Sequence, residues 1–173
     1  FHSFGLDLLR RHGNLIGLPP DPPLFDRSDA IEILEEILPT LPLKHYRNLW
    51  DPMLRLRDVL VAISRAKDEV VDEKAYRALA QRMHDAAGSD EEALVAAGKC
   101  LEVAEIYERY EAAKRDRGAV DFGDLVMLPA LLLEREPALA ASVRLRHRHV
   151  LVDEYQDVNR ASVRLVKALA GDG

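Results

Sequence analysis

The chain has 173 residues, 48% of them hydrophobic and 31% charged, which suffices for one domain or pieces of two and excludes wholesale disorder. Its net charge of −6 excludes a generally basic nucleic-acid binder, though a local positive patch is still compatible with it. A single cysteine, Cys100, excludes an internal disulfide or a cysteine-based metal cluster, and no stretch is apolar and long enough to span a membrane or resembles a signal peptide.

Only 9 glycines and 6% aromatics, beside abundant Ala, Leu, Glu and Arg, favour helices. The chain opens on Phe1-His2-Ser3-Phe4 and not on Met, so it is expected to be a piece of something longer. Residues 4–12 read as a short helix with Phe4, Leu8 and Leu9 inward. Arg10, Arg11 and His12 complement the helix dipole at its end, and Gly13-Asn14 stops it. Pro19-Pro20-Asp21-Pro22-Pro23 cannot be helical and reads as an extended linker between two units.

Asp26 or Ser28 caps a helix to about residue 38, with Ile31, Leu34 and Leu38 on one face, ended by Pro39 and Pro42. Residues 50–67 predict a helix whose core stripe is Met53, Leu56, Leu60 and Ile63. Asp72 starts the next, with Tyr76, Leu79 and Met83 aligned and Gly88 closing it. Ser89 and Glu92 read as a capping box for the longest helix, to about residue 117. Its seam is Leu94, Ala97, Leu101 and Ala104, widened by Val103, Tyr107 and Tyr110, and Cys100 reads as a small core residue. The middle of the chain is thus expected to be an independent helical unit with Leu56, Leu60, Ile63, Leu94, Leu101 and Tyr107 in its core.

Gly118 ends that helix, and Asp121 caps the next, which should kink or restart at Pro129. Residues 138–145 predict a short amphipathic helix, and residues 149–152 a buried strand. Asn159 caps a final helix with Val163, Val166 and Leu169 inward, ended by Gly171. A single strand makes no sheet, so its partners are expected in sequence outside this chain or in a second copy.

The chemistry is concentrated at that strand's end. Val150-Leu151-Val152 runs into Asp153-Glu154, then Tyr155, Gln156 and Asp157. Adjacent carboxylates at a strand end suit an ATPase, the first for Mg²⁺ and the second for the attacking water. The string, including Asn159, resembles motif II of the UvrD/Rep-type superfamily 1A DNA helicases. Three more segments agree in order and spacing. Phe1-His2-Ser3-Phe4 with Leu8-Leu9-Arg10 resembles the single-strand-contacting motif after motif Ia. Asp121-Phe122-Gly123-Asp124-Leu125 resembles the family's Asp-Phe-Asp-Asp-Leu segment, with Gly123 in place of the commoner Asp. Gly171-Asp172 resembles the opening of motif III.

The resemblance implies a mainly α chain. A helical 1B-type subdomain (24–117) is flanked by pieces of a parallel α/β, RecA-like P-loop motor domain 1A (1–23 and 118–173). It implies that Asp153 ligates the Mg²⁺ on ATP and that Glu154 is the general base. Gln156 and Asp157 relay nucleotide state toward the DNA-binding motifs, and Tyr155 packs beneath the sheet edge. For Asp157 an equal reading is a local turn hydrogen bond ahead of Asn159. Ser162 stands where many members have Gln.

His2, Ser3 and Arg10 are the DNA-contact candidates. His2 reads equally as a packed residue at the helix start, and Ser3 as the first helix's N-cap. Asp121 and Asp124 read as a cap and a first-turn acid, or as braces for motif II. The basic run from Arg144 to His149 reads as a solvated surface in preference to a phosphate contact. There is no G-x-x-x-x-G-K-[ST] loop, so this chain alone is expected to be inactive.

The implied parent is an ATP-dependent DNA helicase of bacterial cytoplasm or nucleoid. It couples ATP hydrolysis to translocation on single-stranded DNA and duplex unwinding, in repair or replication. A helicase-nuclease subunit and a non-enzymatic helical interaction module are the alternatives. The lone strand at 149–152 is expected either to pair with its copy in a second chain or to detach from the helical core.

Overall fold

A computed structural model describes residues 1–46 and 52–171. In chain order the elements are α1 (His2–His12), β1 (Leu24–Phe25), α2 (Arg27–Ile37), α3 (Pro52–Asp68), α4 (Glu73–Ala86) and α5 (Glu91–Asp116). They continue with β2 (Val120–Asp121), α6 (Asp124–Arg135), α7 (Pro137–Arg146) and α8 (Arg160–Ala170). Short 3₁₀ turns cover Gly13–Ile16, Leu38–Thr40 and Tyr155–Asp157. Helix dominates, and β1 and β2 pair as a two-stranded sheet. Among the described residues no helix is long and apolar enough to cross a membrane. Trp50, the Met53 side chain and Asp172 of the motif III segment lie outside what is described.

The chain divides into two compact units. One comprises Phe1–Leu24, Lys67–Val70 and the chain from Gly118 onward; the other comprises Phe25–Ala66 and Val71–Arg117.

The helical unit is built from α2, α4, α5 and most of α3. Asp26 begins it: its carboxylate accepts from Ser28 N (2.6 Å) and Asp29 N (3.1 Å), while Asp29 accepts from Asp26 N in return. Those amides hold the Asp26 carboxyl below its ordinary pKa. The core gathers Ile33 and Leu34 of α2, Leu56, Val59 and Ile63 of α3, and Ile106, Tyr107 and Tyr110 of α5. The Tyr107 hydroxyl donates to the Val71 carbonyl at 3.2 Å. Arg77 of α4 forms ion pairs with Glu105 and Glu108 of α5. One carboxylate, Glu102, accepts from the backbone N–H groups of Lys44, His45 and Tyr46 and so holds the segment after α2.

Several sequence expectations fail here for local reasons. Leu79 and Met83 are exposed, and α4 instead buries Ala80, which lies on the neighbouring stripe. Ser89 does not cap α5. Asp90 does, accepting from Ala93 N at 3.1 Å, because its carboxylate is one residue nearer the first turn. Leu94, Leu101 and Cys100 are half-buried, while Ile106, absent from the expected seam, is fully buried. The long helix buries Ala97 in its first half and most of its deep residues from Val103 onward.

The other unit packs α1, α6, α7 and α8. Leu8, Val126, Ala130, Leu133, Leu165 and Leu169 form its main cluster, and Leu9, Val120 and Leu125 a smaller one. On α8, Ala161, Ser162 and Leu165 are buried with Leu169, whereas Val163 and Val166 are only half-buried. Asn159 caps α8, as expected, through Ser162 N (2.9 Å).

α6 does not restart at Pro129 but continues to Arg135. Proline lacks the N–H that would bond the carbonyl four residues back, which is that of Leu125. Gly5 of α1 lies against that carbonyl, and a Cβ built at Gly5 would overlap its oxygen. The residue that removes the hydrogen bond thus stands where a glycine lets another helix come close.

The expected strand at 149–152 does not form, and no other strand among the described residues pairs with it. Leu151 is 97% exposed. Apolar residues specify a strand only where neighbouring backbone meets their N–H and C=O groups.

Candidate functional site

Every residue from Asp153 to Asp157 is exposed, in the stretch that joins α7 to α8. Asp153 Oδ1 accepts from Glu154 N at 2.9 Å. Glu154 has φ +50° and ψ +46°, a left-handed conformation that non-glycine residues rarely adopt. It caps the 3₁₀ turn Tyr155–Asp157, with Asp157 N donating to the Glu154 carbonyl at 2.9 Å. The Gln156 side-chain amide donates to the Glu154 carboxylate. Of the four expected nucleotide-site side chains, Gln156 bonds the Glu154 side chain, while Asp153 engages only the Glu154 backbone N–H. Tyr155 does not pack beneath a sheet edge and is 65% exposed.

The DNA-contact candidates are separated. His2 lies in the first turn of α1, its ring edge-on to Phe122 with centroids 6.0 Å apart. Its imidazole pKa is lowered, chiefly by burial, and the Asp68 carboxylate opposes that in part. Ser3 is exposed inside the helix and does not cap it; the cap position is Phe1, with no side-chain hydrogen bond. Arg10 lies eight residues beyond His2, about 12 Å along the axis, and forms an ion pair with Asp21 at 2.7 Å. Phe1 and Phe4 of α1, Val150, Val152, Asp153 and Leu165 line one open cleft of about 380 Å³, which brings the start of α1 and the first acid of the pair to a common wall.

A residue missed in the sequence organises the loop opposite His2. Lys67, at the end of α3, is 1% exposed; its ammonium donates to Asp121 Oδ2 at 2.5 Å and Asp124 Oδ1 at 2.8 Å. The two acids also cross-cap: Asp121 N donates to Asp124 Oδ2 (2.9 Å) and Asp124 N to Asp121 Oδ1 (3.0 Å). Lys67 was findable, because it continues the stripe of Leu56, Leu60 and Ile63. A lysine on a core-facing stripe requires buried anions. Gly123 leaves room for it, since a Cβ there would stand 2.7 Å from Lys67 Cδ. The next residue, Asp68, accepts from the side-chain amide of Asn159.

A helical unit is joined to a piece that presents adjacent carboxylates on an exposed turn, and comparison gives the family. The model of the UvrD/REP helicase N-terminal domain matches residues 1–173, so the chain belongs to that family. It is 30% identical over 171 residues to ATP-dependent DNA helicase Rep of Salmonella typhimurium, covering 99% of this chain and 22% of that protein. To ATP-dependent DNA helicase UvrD1 of Mycobacterium tuberculosis it is 36% identical over 172 residues, 99% of this chain and 20% of that one. To ATP-dependent DNA helicase PcrA of Bacillus subtilis it is 29% identical over 170 residues, 98% and 20% respectively. The chain spans about a fifth of the length of these relatives.

Proposed function

We propose that the chain is part of an ATP-dependent DNA helicase that couples ATP hydrolysis to movement on single-stranded DNA and to duplex separation. The observation that carries this reading is the bond of the Gln156 amide to the Glu154 carboxylate, next to the exposed Asp153 carboxylate, within a segment that resembles motif II. Family membership and the names of the relatives support it. In this reading residues 1–23 and 118–173 belong to motor domain 1A and residues 24–117 to subdomain 1B. The contact division of the chain supports those limits, with Lys67–Val70 counted in the motor piece. The protein works in the cytoplasm or nucleoid.

Mg²⁺ binds through one or two carboxylates plus substrate phosphates. Asp153 and Glu154 offer two adjacent, exposed carboxylates, which fits that requirement. Asp153 would hold the ion, which would supply charge neutralisation on the phosphates when bound. Glu154 accepts the proton of the attacking water. The Gln156 amide, bonded to the Glu154 carboxylate, orients that base, and Asp157 closes the turn behind it. His2 and Ser3 contact the nucleic-acid backbone. This chain carries no phosphate-cradling loop and turns over no ATP alone.

The test is Glu154→Gln in the full-length protein. The amide preserves shape and loses basicity, so steady-state ATPase should fall by about 10²–10⁴-fold while nucleotide affinity stays close to wild type. Unchanged turnover removes Glu154 from the reaction.

A further inference from the structure

Two consecutive residues reach both halves of the site just described. Lys67 grips Asp121 and Asp124, the acids on either side of Phe122, and His2 leans its ring on Phe122. Asp68 accepts from Asn159, two residues beyond Asp157. Asn159 spends both ends of its amide: its nitrogen donates to Asp68, and its oxygen caps α8 through Ser162 N. Glu69 and Arg160 stand 3.9 Å apart beside this pair. Val70 packs on the α6 and α8 cluster with φ +57°, a conformation held only where the surroundings over-determine it.

We propose that Lys67 and Asp68 form a clamp coupling the His2 end of α1 to the acidic segment, with Asp68 as a positioning residue for motif II. The proposal rests on the helicase reading given above. Each member of the pair fixes a different loop, and one peptide unit joins them. A shift of the Phe122 loop under a strand bound at His2 therefore moves the Asn159 anchor of motif II. A buried ammonium with two carboxylates adds little net stability against an apolar replacement, so its presence points to a fixed register. Burial raises the Asp68 carboxyl pKa; the Asn159 bond lowers it, the neighbouring Glu69 charge raises it further, and His2 opposes that weakly.

The experiment uses the full-length protein with Asp68→Ala, Asp68→Asn, Asn159→Ser and the Asp68→Ala/Asn159→Ser double variant. ATPase is measured with and without a saturating single-stranded oligonucleotide. Serine keeps an oxygen to cap α8 but lacks the longer side-chain amide N–H that reaches Asp68. In Asp68→Ala and Asn159→Ser the stimulation ratio should drop about tenfold, because the DNA-stimulated rate falls much further than the DNA-free rate. Asp68→Asn retains the acceptor oxygen and should keep most of the stimulation. The double variant should be no worse than the poorer single, as residues of one link are not additive. An unchanged ratio in Asn159→Ser, or a fall of both rates in the same proportion, overturns the clamp. If Asp68→Ala does not fold, Asn159→Ser decides alone. Turnover surviving Glu154→Gln defeats the helicase chemistry itself; turnover lost there with an unchanged ratio in Asn159→Ser defeats only the clamp.

Discussion

At the scale of single residues, the decisive fact is that a charge on a core stripe depends on its particular partners more than an apolar neighbour does. Removing one partner of a buried pair leaves the other charged and dry. Asp124→Ala should therefore destabilise the unit by about 3–5 kcal/mol in chemical denaturation. Asp121→Ala should do less, because its side chain is 14% exposed against 2% for Asp124. Equal effects from the two would mean that the cross-capping bonds outweigh the lysine. Gly5→Ala tests a second single-residue constraint, since its methyl would overlap the Leu125 carbonyl. Forced overpacking of this kind costs roughly 1–3 kcal/mol or more, and a denaturation midpoint like that of wild type would show that α1 can slide aside. Lys67 was legible in the sequence as a lysine in phase with Leu56 and Ile63. The left-handed backbone of Glu154 was not, because nothing in Asp-Glu-Tyr specifies a positive φ; the surrounding turn imposes it.

At the scale of elements, α5 separates what periodicity can and cannot tell. Ile106→Ala should destabilise the helical unit by about 2–5 kcal/mol through lost burial and a residual cavity. Leu101→Ala should cost less than Ile106→Ala, since Leu101 is only partly buried. The reverse order in thermal or denaturant unfolding would return the seam to the face that carries Leu94 and Leu101. The helices themselves were readable from spacing and caps: Asp26, Asp72 and Asn159 stand where the sequence put them. Which stripe of an amphipathic helix is innermost depends on its neighbours' bulk. On α4 it is the small Ala80 that is buried, while Leu79 and Met83 stay exposed. Caps err by one residue for a related reason, as Ser89 and Asp90 offer equivalent oxygens and only the first turn's direction selects between them.

At the scale of the whole molecule, the acidic segment stands in surroundings that this chain does not complete by itself. Val150-Leu151-Val152 carries every local mark of a buried strand, yet Val150 is 37% and Leu151 97% exposed. Strand propensity is a statement about fitting a pleated, half-buried surface, and the sheet that would provide it is not formed by the described residues. Exposed apolar residues with open backbone groups recruit another chain. The 173-residue chain should therefore associate with itself as its concentration rises, through residues 149–152. Light scattering should show a growing apparent mass, and hydrogen exchange at those four amides should be fast when dilute and slow when associated. Leu151→Lys places a charge where the pairing face must be dry and should hold the chain monomeric over the same range. Monomers at every concentration with slow exchange at 149–152 would mean that the segment finds cover within its own chain. Asp153 and Glu154 would then be presented from a different backbone than the exposed turn described above.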